Sequence, residues 1–205
     1  VDHYQFSKKT GIEQGYEAEG YVPSPTDGFG LDIQYANMAF GQGMTVTPLQ
    51  MAAALSSIIN GGTYYRPHLV EKSIDSTGKE VIKKPEIIRA NVVRPEVSKT
   101  IQQLMEYTLE KNHLVYGERN LRSKYGVGGK TGTAQIGKPG GGYHDDRNNG
   151  TFIGFVGGDK PQYVIVVRVN EPKIPGYAGA KAAAPIFFRL TNMLIDSFGV
   201  TPKGQ

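Results

Sequence analysis

The organisation of the chain is set by the stretch Gly126-Val127-Gly128-Gly129-Lys130-Thr131-Gly132-Thr133-Ala134-Gln135. So many glycines would weaken an ordinary core strand, because glycine has no side chain to pack. Glycine also lacks a Cβ, so the pattern indicates a strand whose backbone lies very close to another group. The lysine and the two threonines supply one cation and two hydroxyl groups. Such a surface suits a carboxylate, a phosphate or a developing oxyanion.

The composition indicates a globular protein of one sizeable domain or two small ones. The chain has 205 residues, of which 39% are hydrophobic and 20% are charged, and its formal net charge is +4. The basic pairs Lys8-Lys9 and Lys83-Lys84 do not extend into a longer basic run, so we do not expect nucleic acid as a partner. The absence of cysteine excludes disulfides and a cysteine nucleophile. A metal is not expected, because metal-ligand spacing is absent from the histidines His3, His68, His113 and His144. A cofactor is not expected either.

Residues 1–46 are predicted to be mostly loop, because glycine, proline, aspartate and serine recur throughout them. One or two helical turns fit residues 32–40. A clearer helix follows, since Thr47, Pro48 and Gln50 form the pattern of an N-cap, a first-turn proline and a capping box. This helix is apolar on nearly all sides, so we expect it to be buried.

The segment 47–117 is also predicted to contain a surface hairpin and a second helix. The hairpin strands, over residues 70–74 and 80–84, alternate polar and apolar residues around a turn with glycine. The second helix begins at Pro95 and carries apolar residues at helical spacing along one face.

The segment 126–205 is predicted to form three strands and a C-terminal helix. The glycine-rich strand is followed by a loop over 137–149, a strand over 151–158 and a β-branched strand over 162–170. The short connection between the last two strands makes them an antiparallel hairpin. With an amphipathic helix over 180–198, this order predicts an α+β fold in which an antiparallel sheet is packed between helices.

A nucleotide site at Gly129-Lys130-Thr131 fits the sequence poorly. The phosphate-loop pattern G-x-x-x-x-G-K-[ST] needs a glycine where this chain has Lys124, and its lysine should open a helix. Gly41-Gln42-Gly43 is a weak dinucleotide signal, because Val46 stands where the third glycine belongs. Nucleotide binding stays open as an alternative, which protection of the fold by ATP against heating would test.

The remaining interpretation is acyl transfer by an active-site serine, for which the motifs are S-x-x-K, S-D-N and K-T-G. Lys130-Thr131-Gly132-Thr133-Ala134-Gln135, followed by Phe152-Ile153-Gly154-Phe155, resembles the third motif and the next strand of a penicillin-binding protein transpeptidase domain. Residues 41–52 resemble the buried helix that follows the second motif in class B members. Residues 182–187 are similar to their C-terminal helix. Three landmarks in the family's order make the resemblance specific.

The chain departs from this family because usable first and second motifs are missing. Ser76-Thr77-Gly78-Lys79 matches S-x-x-K literally but falls in the predicted hairpin turn, whereas the chemistry needs serine and lysine one helical turn apart. Tyr35-Ala36-Asn37 imitates a variant of the second motif at the wrong distance from the helix landmark, and Lys9-Thr10-Gly11 lacks a strand partner. We therefore expect residues 1–205 to be the C-terminal portion of one transpeptidase domain, with the nucleophile in a preceding N-terminal portion of the same protein.

The resemblance implies a serine D,D-transpeptidase that cross-links peptidoglycan stem peptides and is acylated by β-lactams. It implies catalytic roles for Lys130, through its positive field near the serine, and for Thr133, through an N–H that donates to the oxyanion. It implies substrate binding by Thr131, Gly132 and Thr133, with the two hydroxyls donating to the carboxylate of a D-Ala-D-Ala end. This chain alone is then expected to be inactive. The alternative is a non-catalytic penicillin-binding-like module that binds wall peptides or a partner protein.

The resemblance also implies a place in the cell. Class B members act in cell-wall synthesis during division or elongation, at the extracytoplasmic face of the bacterial inner membrane, where other cell-wall synthesis proteins would be partners. Apolar runs of the roughly 20 residues that cross a bilayer are absent from this sequence. We therefore expect the membrane anchor in an N-terminal segment that this sequence does not include.

Overall fold

The computed structural model describes residues 2–26, 28, 31–113, 121–174, 176 and 178–205. Residues 114–117, the end of the predicted segment 47–117, lie outside this description. No helix in the described ranges is long and apolar enough to span a bilayer. The elements are α1 (Leu31–Met38), α2 (Pro48–Ile59), β1 (Tyr64–Tyr65), β2 (Lys72–Ile74), β3 (Glu80–Ile82), β4 (Ile87–Arg89), α3 (Pro95–Lys111), α4 (Leu121–Lys124), β5 (Gly126–Gly137), β6 (Tyr143–Gly157), β7 (Pro161–Asn170) and a π-helical turn (Gly179–Ala183) that continues into α5 (Ala184–Ser197).

Strands β5, β6 and β7 form the central antiparallel sheet, with β6 between the other two. Lys130 on β5 lies opposite Ile153 on β6, and Gly132 lies opposite Thr151. Helix α5 packs on one face of this sheet, while α2 and part of α3 pack on the other. The prediction of an α+β fold with an antiparallel sheet between helices is therefore confirmed.

Two apolar cores hold the helices against the sheet. Phe152 is 0% exposed, and its ring centre lies 4.4 Å from that of Phe187 and 5.9 Å from that of Phe188, both on α5. Phe155 faces the other side, because side chains alternate along a strand. There it packs with Leu55 and Ile59 of α2. The predicted burial of α2 is thus found on the side that meets the sheet.

The capping box at the start of α2 also fastens the N-terminal loop. Thr47 Oγ1 accepts the Gln50 N–H at 3.1 Å, and Gln50 Oε1 accepts the Thr47 N–H at 2.8 Å. The Nε2 of Gln50 donates to the carbonyl oxygens of Lys8 and Glu19, both at 2.8 Å. One buried side chain thereby joins two points of the loop to the first turn of the helix.

The hairpin of β5 and β6 is longer than the sequence predicted. The predicted loop over 137–149 is wrong in most of its length, because β6 already begins at Tyr143. Gln135 pairs with Asn148, and Gly137 pairs with Tyr143. The residues at this end of the hairpin are mostly polar, so they lack the alternation of apolar and polar residues by which a strand is recognised.

Two short strand pairs lie between α2 and α3. β2 and β3 form the predicted surface hairpin, although each strand is shorter than predicted. β1 and β4 form a second antiparallel pair that the sequence analysis missed. Strands of two or three residues are too short to show a period of two.

Candidate functional site

The four residues of the predicted site follow one another on β5, which is an edge strand of the central sheet. β5 pairs with β6 along one side. Along its other side, no strand pairs with it in the described part of the chain. An edge strand presents free N–H and C=O groups that can pair with an extended peptide. The site residues are Lys130, Thr131, Gly132 and Thr133.

The glycines just before the lysine face aromatic rings of the core. A Cβ at Gly128 would lie 2.5 Å from the ring of Phe155, and a Cβ at Gly129 would overlap the ring of Phe152. The prediction that the backbone here lies very close to another group is confirmed. That group is the protein's own core, so these two glycines do not by themselves indicate a ligand.

The ammonium group of Lys130 lies beside the next residue of its own strand. Its Nζ donates to the Thr131 carbonyl oxygen at 2.7 Å and lies 3.4 Å from Thr131 Oγ1. The side chain is exposed. Because an ammonium group carries three donors, one remains for an anion beyond these two contacts.

Thr133 is bound to the start of the C-terminal helical segment. The backbone N–H of Gly179 donates to Thr133 Oγ1 at 3.2 Å. A hydroxyl has one proton to donate and two lone pairs to accept with, so this contact leaves the proton for another group. Gly179 was not predicted to be near the site, because no periodicity or motif in the sequence links it to Thr133, 46 residues earlier.

A cleft of about 460 Å³ opens beside Thr133. In the sequence, Gln42 belongs to a weak dinucleotide pattern and to the stretch that resembles the buried helix, and Asn148 belongs to a predicted loop. Neither residue was therefore predicted to be near the site. The residues that line the cleft are Gln42, Thr133, Gln135, Asn148 and Gly176.

The other literal motif matches lie in a surface turn, in a short helix and in the N-terminal loop. Ser76-Thr77-Gly78-Lys79 forms the turn between β2 and β3, as predicted, with Asp75 Oδ1 accepting the Thr77 N–H at 2.8 Å. Tyr35-Ala36-Asn37 lies within α1, and Lys9-Thr10-Gly11 lies in the N-terminal loop. None of these matches supplies a serine and a lysine one helical turn apart.

The nucleotide alternative is wrong for the glycine-rich stretch. Gly129-Lys130-Thr131 lies within a strand of 12 residues, whereas a phosphate loop needs its lysine at the start of a helix. As for metals, the described residues contain no group of three or more His, Cys, Asp or Glu side chains that could hold an ion.

Comparison with known proteins gives matches along most of the chain. The family model for the penicillin binding protein transpeptidase domain matches residues 1–192. Stage V sporulation protein D of Bacillus subtilis (strain 168) is 36% identical over 204 residues, which are 99% of this chain and 31% of that protein. The probable peptidoglycan D,D-transpeptidase PenA of Neisseria flavescens is 29% identical over 170 residues, which are 83% of this chain and 39% of that protein.

The fold has solved counterparts as well. The crystal structure of penicillin binding protein 3 from Mycobacterium tuberculosis, complexed with ampicillin, superposes with a TM-score of 0.82 and 28% identity, over 100% of this chain and 46% of that chain. The chain thus spans less than half the length of these relatives. The match of the family model to residues 1–192 includes all of β5 and its Lys-Thr-Gly-Thr sequence. The chain therefore belongs to the family of penicillin-binding protein transpeptidase domains.

Proposed function

We propose that this chain forms one wall of the active site of a peptidoglycan D,D-transpeptidase, and that the serine nucleophile lies in another part of the same protein. One observation carries the proposal. Lys130, Thr131 and Thr133 stand together on the open edge of β5, and each hydroxyl oxygen lies beside a donor, Lys130 Nζ or the Gly179 N–H. Membership of the transpeptidase family supports the reaction class, and a relative named as a probable peptidoglycan D,D-transpeptidase supports the substrate.

The substrate in this proposal is a stem peptide that ends in D-Ala-D-Ala with a free carboxylate. The hydroxyls of Thr131 and Thr133 donate to that carboxylate, and the ammonium of Lys130 adds a favourable charge. A hydrogen bond to a charged group contributes about 1.5–3 kcal/mol, so the three groups together select strongly for an anionic end. Because Gly132 has no side chain, the substrate backbone can lie along the strand edge between the two hydroxyls.

The proposed chemistry is a two-step acyl transfer. The serine oxygen attacks the carbonyl carbon of the penultimate D-alanine, its proton passes to a base, and the peptide C–N bond breaks as the terminal D-alanine leaves with a proton on its nitrogen. The N–H of Thr133 and that of the serine donate to the oxyanion, and removal of one such donor raises a barrier by about 3–4 kcal/mol. An amine of a neighbouring stem peptide then attacks the ester and restores the serine.

β-Lactams enter the first step of this scheme as substrate mimics. The serine opens the lactam amide in the same way, and the ring nitrogen stays attached to the acyl group instead of leaving. The carboxylate of the drug takes the place of the peptide carboxylate at Thr131 and Thr133. The relative crystallised with ampicillin supports this use of the fold.

In the cell, the proposal places the protein in cell-wall synthesis at the extracytoplasmic face of a bacterial inner membrane. An N-terminal segment would anchor it, and other cell-wall synthesis proteins would be its partners. The names of the relatives, which include penicillin-binding, sporulation and FtsI-type proteins, support a role in wall assembly during division.

The test is acylation by a fluorescent penicillin in the full-length protein that carries this chain. Lys130→Ala should lower the second-order acylation rate about tenfold or more, because a charged contact to the carboxylate is lost. Lys160→Ala, at an exposed lysine in the β6–β7 turn, is the control and should react at the wild-type rate. An unchanged rate for Lys130→Ala in a folded protein would show that the assigned role is wrong.

The position of the label gives an independent check. Peptide mapping of the acylated full-length protein should place the label on a serine outside this chain. The isolated chain should stay unlabelled. Labelling of Ser76 in either protein would contradict the proposal, because that serine lies in a surface turn.

A second candidate function is a non-catalytic module that binds wall peptides or a partner protein. The observation that favours it is that the literal S-x-x-K of this chain forms a β-turn and no helix. The same labelling experiment separates the two functions. Failure of penicillin to acylate the wild-type full-length protein, together with retained binding of a D-Ala-D-Ala peptide, would favour the binding module.

A further inference from the structure

The start of the C-terminal helical segment is packed directly against the candidate site. A Cβ at Gly179 would overlap the carbonyl oxygen of Gly132 and lie 2.9 Å from that of Thr151. Likewise, a Cβ at Gly150 would lie 2.5 Å from the carbonyl carbon of Ala178. Backbone therefore meets backbone at this point, with no flexible side chain in between.

This contact gives the helical segment a cap that comes from the strand. The residue in the N-cap position, Ala178, has no side chain that can accept a hydrogen bond, and none is made. The first N–H groups of a helical segment have no partner within it, and they carry the positive end of the helix dipole. The hydroxyl oxygen of Thr133 accepts one of them, the N–H of Gly179, at 3.2 Å.

We propose that Gly179 is a positioning residue for Thr133, because its N–H holds the hydroxyl oxygen and thereby directs the hydroxyl proton to the carboxylate of the substrate. This inference rests on the proposed function. A hydroxyl that accepts from an N–H must turn its own proton elsewhere. Accepting a hydrogen bond also polarises the O–H group and makes it a better donor.

The contact fixes both the position of the Thr133 hydroxyl oxygen and the direction in which its proton points. Without it, the Thr133 side chain would be free to choose another χ1 rotamer and to use its proton on a backbone carbonyl. With it, the position of the hydroxyl follows the position of the helical segment. That segment in turn is anchored by the buried rings of Phe187 and Phe188 on the sheet. The helical segment thus holds the Thr133 hydroxyl in place before the substrate binds.

The test compares two glycine substitutions in the full-length protein. Gly179→Ala forces the segment away from Gly132 and should lower the second-order rate of acylation about tenfold for a penicillin with a free carboxylate. For the same penicillin with its carboxylate esterified, the decrease should be much smaller. Gly158→Ala is the matched control, since its Cβ would meet Thr201 O at 2.6 Å and Pro202 O at 2.9 Å, beyond the end of β6. Gly158→Ala should leave unchanged the ratio of the acylation rate with the free penicillin to that with the esterified one.

A double-mutant cycle with Thr133→Val separates this inference from the proposed function. In the Thr133→Val background, Gly179→Ala should cause no further loss, because the hydroxyl through which it acts is gone. Additive effects of the two changes would overturn the positioning role while leaving the function of Thr133 intact. An unchanged acylation rate for Thr133→Val alone would instead contradict the proposed function itself.

Hydrogen exchange tests the contact even if Gly179→Ala fails to fold. The amide of Gly179 should exchange slowly in the wild type and in Thr133→Ser, which keeps the hydroxyl, and faster in Thr133→Val. Equal protection in Thr133→Val would show that Thr133 does not hold this N–H and would overturn the inference.

Discussion

The ring of Phe152 fills the space that a side chain at Gly129 would need. A Cβ built on Gly129 would overlap one ring atom of Phe152 and lie 2.8 Å from another. Phe152 is 0% exposed, and it packs against Phe187 on α5. The core therefore reaches up to the backbone of β5 immediately before Lys130, and this close packing fixes the strand that carries the candidate site.

Gly129→Ala should destabilise the protein by about 1–3 kcal/mol, because overpacking a filled core forces the ring or the backbone to move. Chemical denaturation of the full-length protein measures this loss as a lower midpoint. Gly137→Ala, on the same strand, is the control, because its Cβ would meet its nearest neighbour at an ordinary 3.9 Å. Equal losses at the two positions would show that the Phe152 contact does not limit residue 129.

Gln50→Ala should cost more stability than Thr47→Ala, although both remove the capping box. Loss of the Thr47 cap alone costs about 1 kcal/mol. Gln50→Ala also leaves the carbonyl oxygens of Lys8 and Glu19 without their donor, so we expect a total of about 2–4 kcal/mol. The free energy of unfolding of each variant measures the difference.

Limited proteolysis extends the comparison to the N-terminal loop. Because Gln50 joins that loop to α2, Gln50→Ala should be cleaved faster than the wild type within residues 2–26. Thr47→Ala should be cleaved there at close to the wild-type rate. Equal cleavage of both variants would contradict a fastening role for Gln50.

Local signals made much of the fold predictable. The capping box and proline of α2 were visible because Thr47, Pro48 and Gln50 lie within one turn, and the structure contains the bonds that they predicted. β7 was predictable because its sequence is a run of mostly β-branched residues. The order of these elements then predicted the antiparallel sheet and its helices, and the motif on β5 predicted the family.

Contacts between distant segments of backbone were not predictable. The first half of β6 is mostly polar and contains no buried residue, so nothing in its composition distinguishes it from a loop. The glycines at 128 and 129 were predicted to lie close to another group, but no pattern says whether that group is a ligand or a phenylalanine of the core. The bond from Gly179 to Thr133 depends on how α5 docks, and docking has no signature within either segment.

The acid stability of the protein should depend on Glu17. Partial burial acts to raise the pKa of this carboxyl, but hydrogen bonds from Thr10 and Gly11 and the charge of Lys9 outweigh it, so the net pKa lies below its ordinary value. A carboxyl with a lowered folded-state pKa stabilises the fold above its unfolded pKa, and this stabilisation is lost as the pH falls through the folded-state value. Glu17→Gln should therefore lower the melting temperature at neutral pH and flatten its decline in acid.

The measurement is the melting temperature of the full-length protein and its variants from pH 7 to about pH 3. Glu71→Gln, at an exposed position, serves as the control for removal of one negative charge. The N–H groups of Thr10 and Gly11 donate to the two carboxylate oxygens of Glu17 at 2.8 and 3.0 Å, and the amide in Glu17→Gln keeps only one oxygen to accept them. Parallel pH curves for Glu17→Gln and the wild type would rule out this contribution.

Phe187→Ala should be among the most destabilising changes to α5. Phe187 is 0% exposed, and its ring centre lies 4.4 Å from that of Phe152 and 5.3 Å from that of Phe188. Removal of a buried phenylalanine costs about 3–5 kcal/mol, through lost apolar burial and the cavity that remains. Thermal or chemical denaturation of the full-length protein should show this loss.

Phe198→Ala is the matched control, because Phe198 is 57% exposed just beyond the end of the same helix. Its cost should stay within about 0.5 kcal/mol. Similar losses in the free energy of unfolding at the two positions would mean that the aromatic core does not hold α5 against the sheet. A large cost at Phe187 alone would tie the stability of the sheet to the same helical segment whose first turn contacts Thr133.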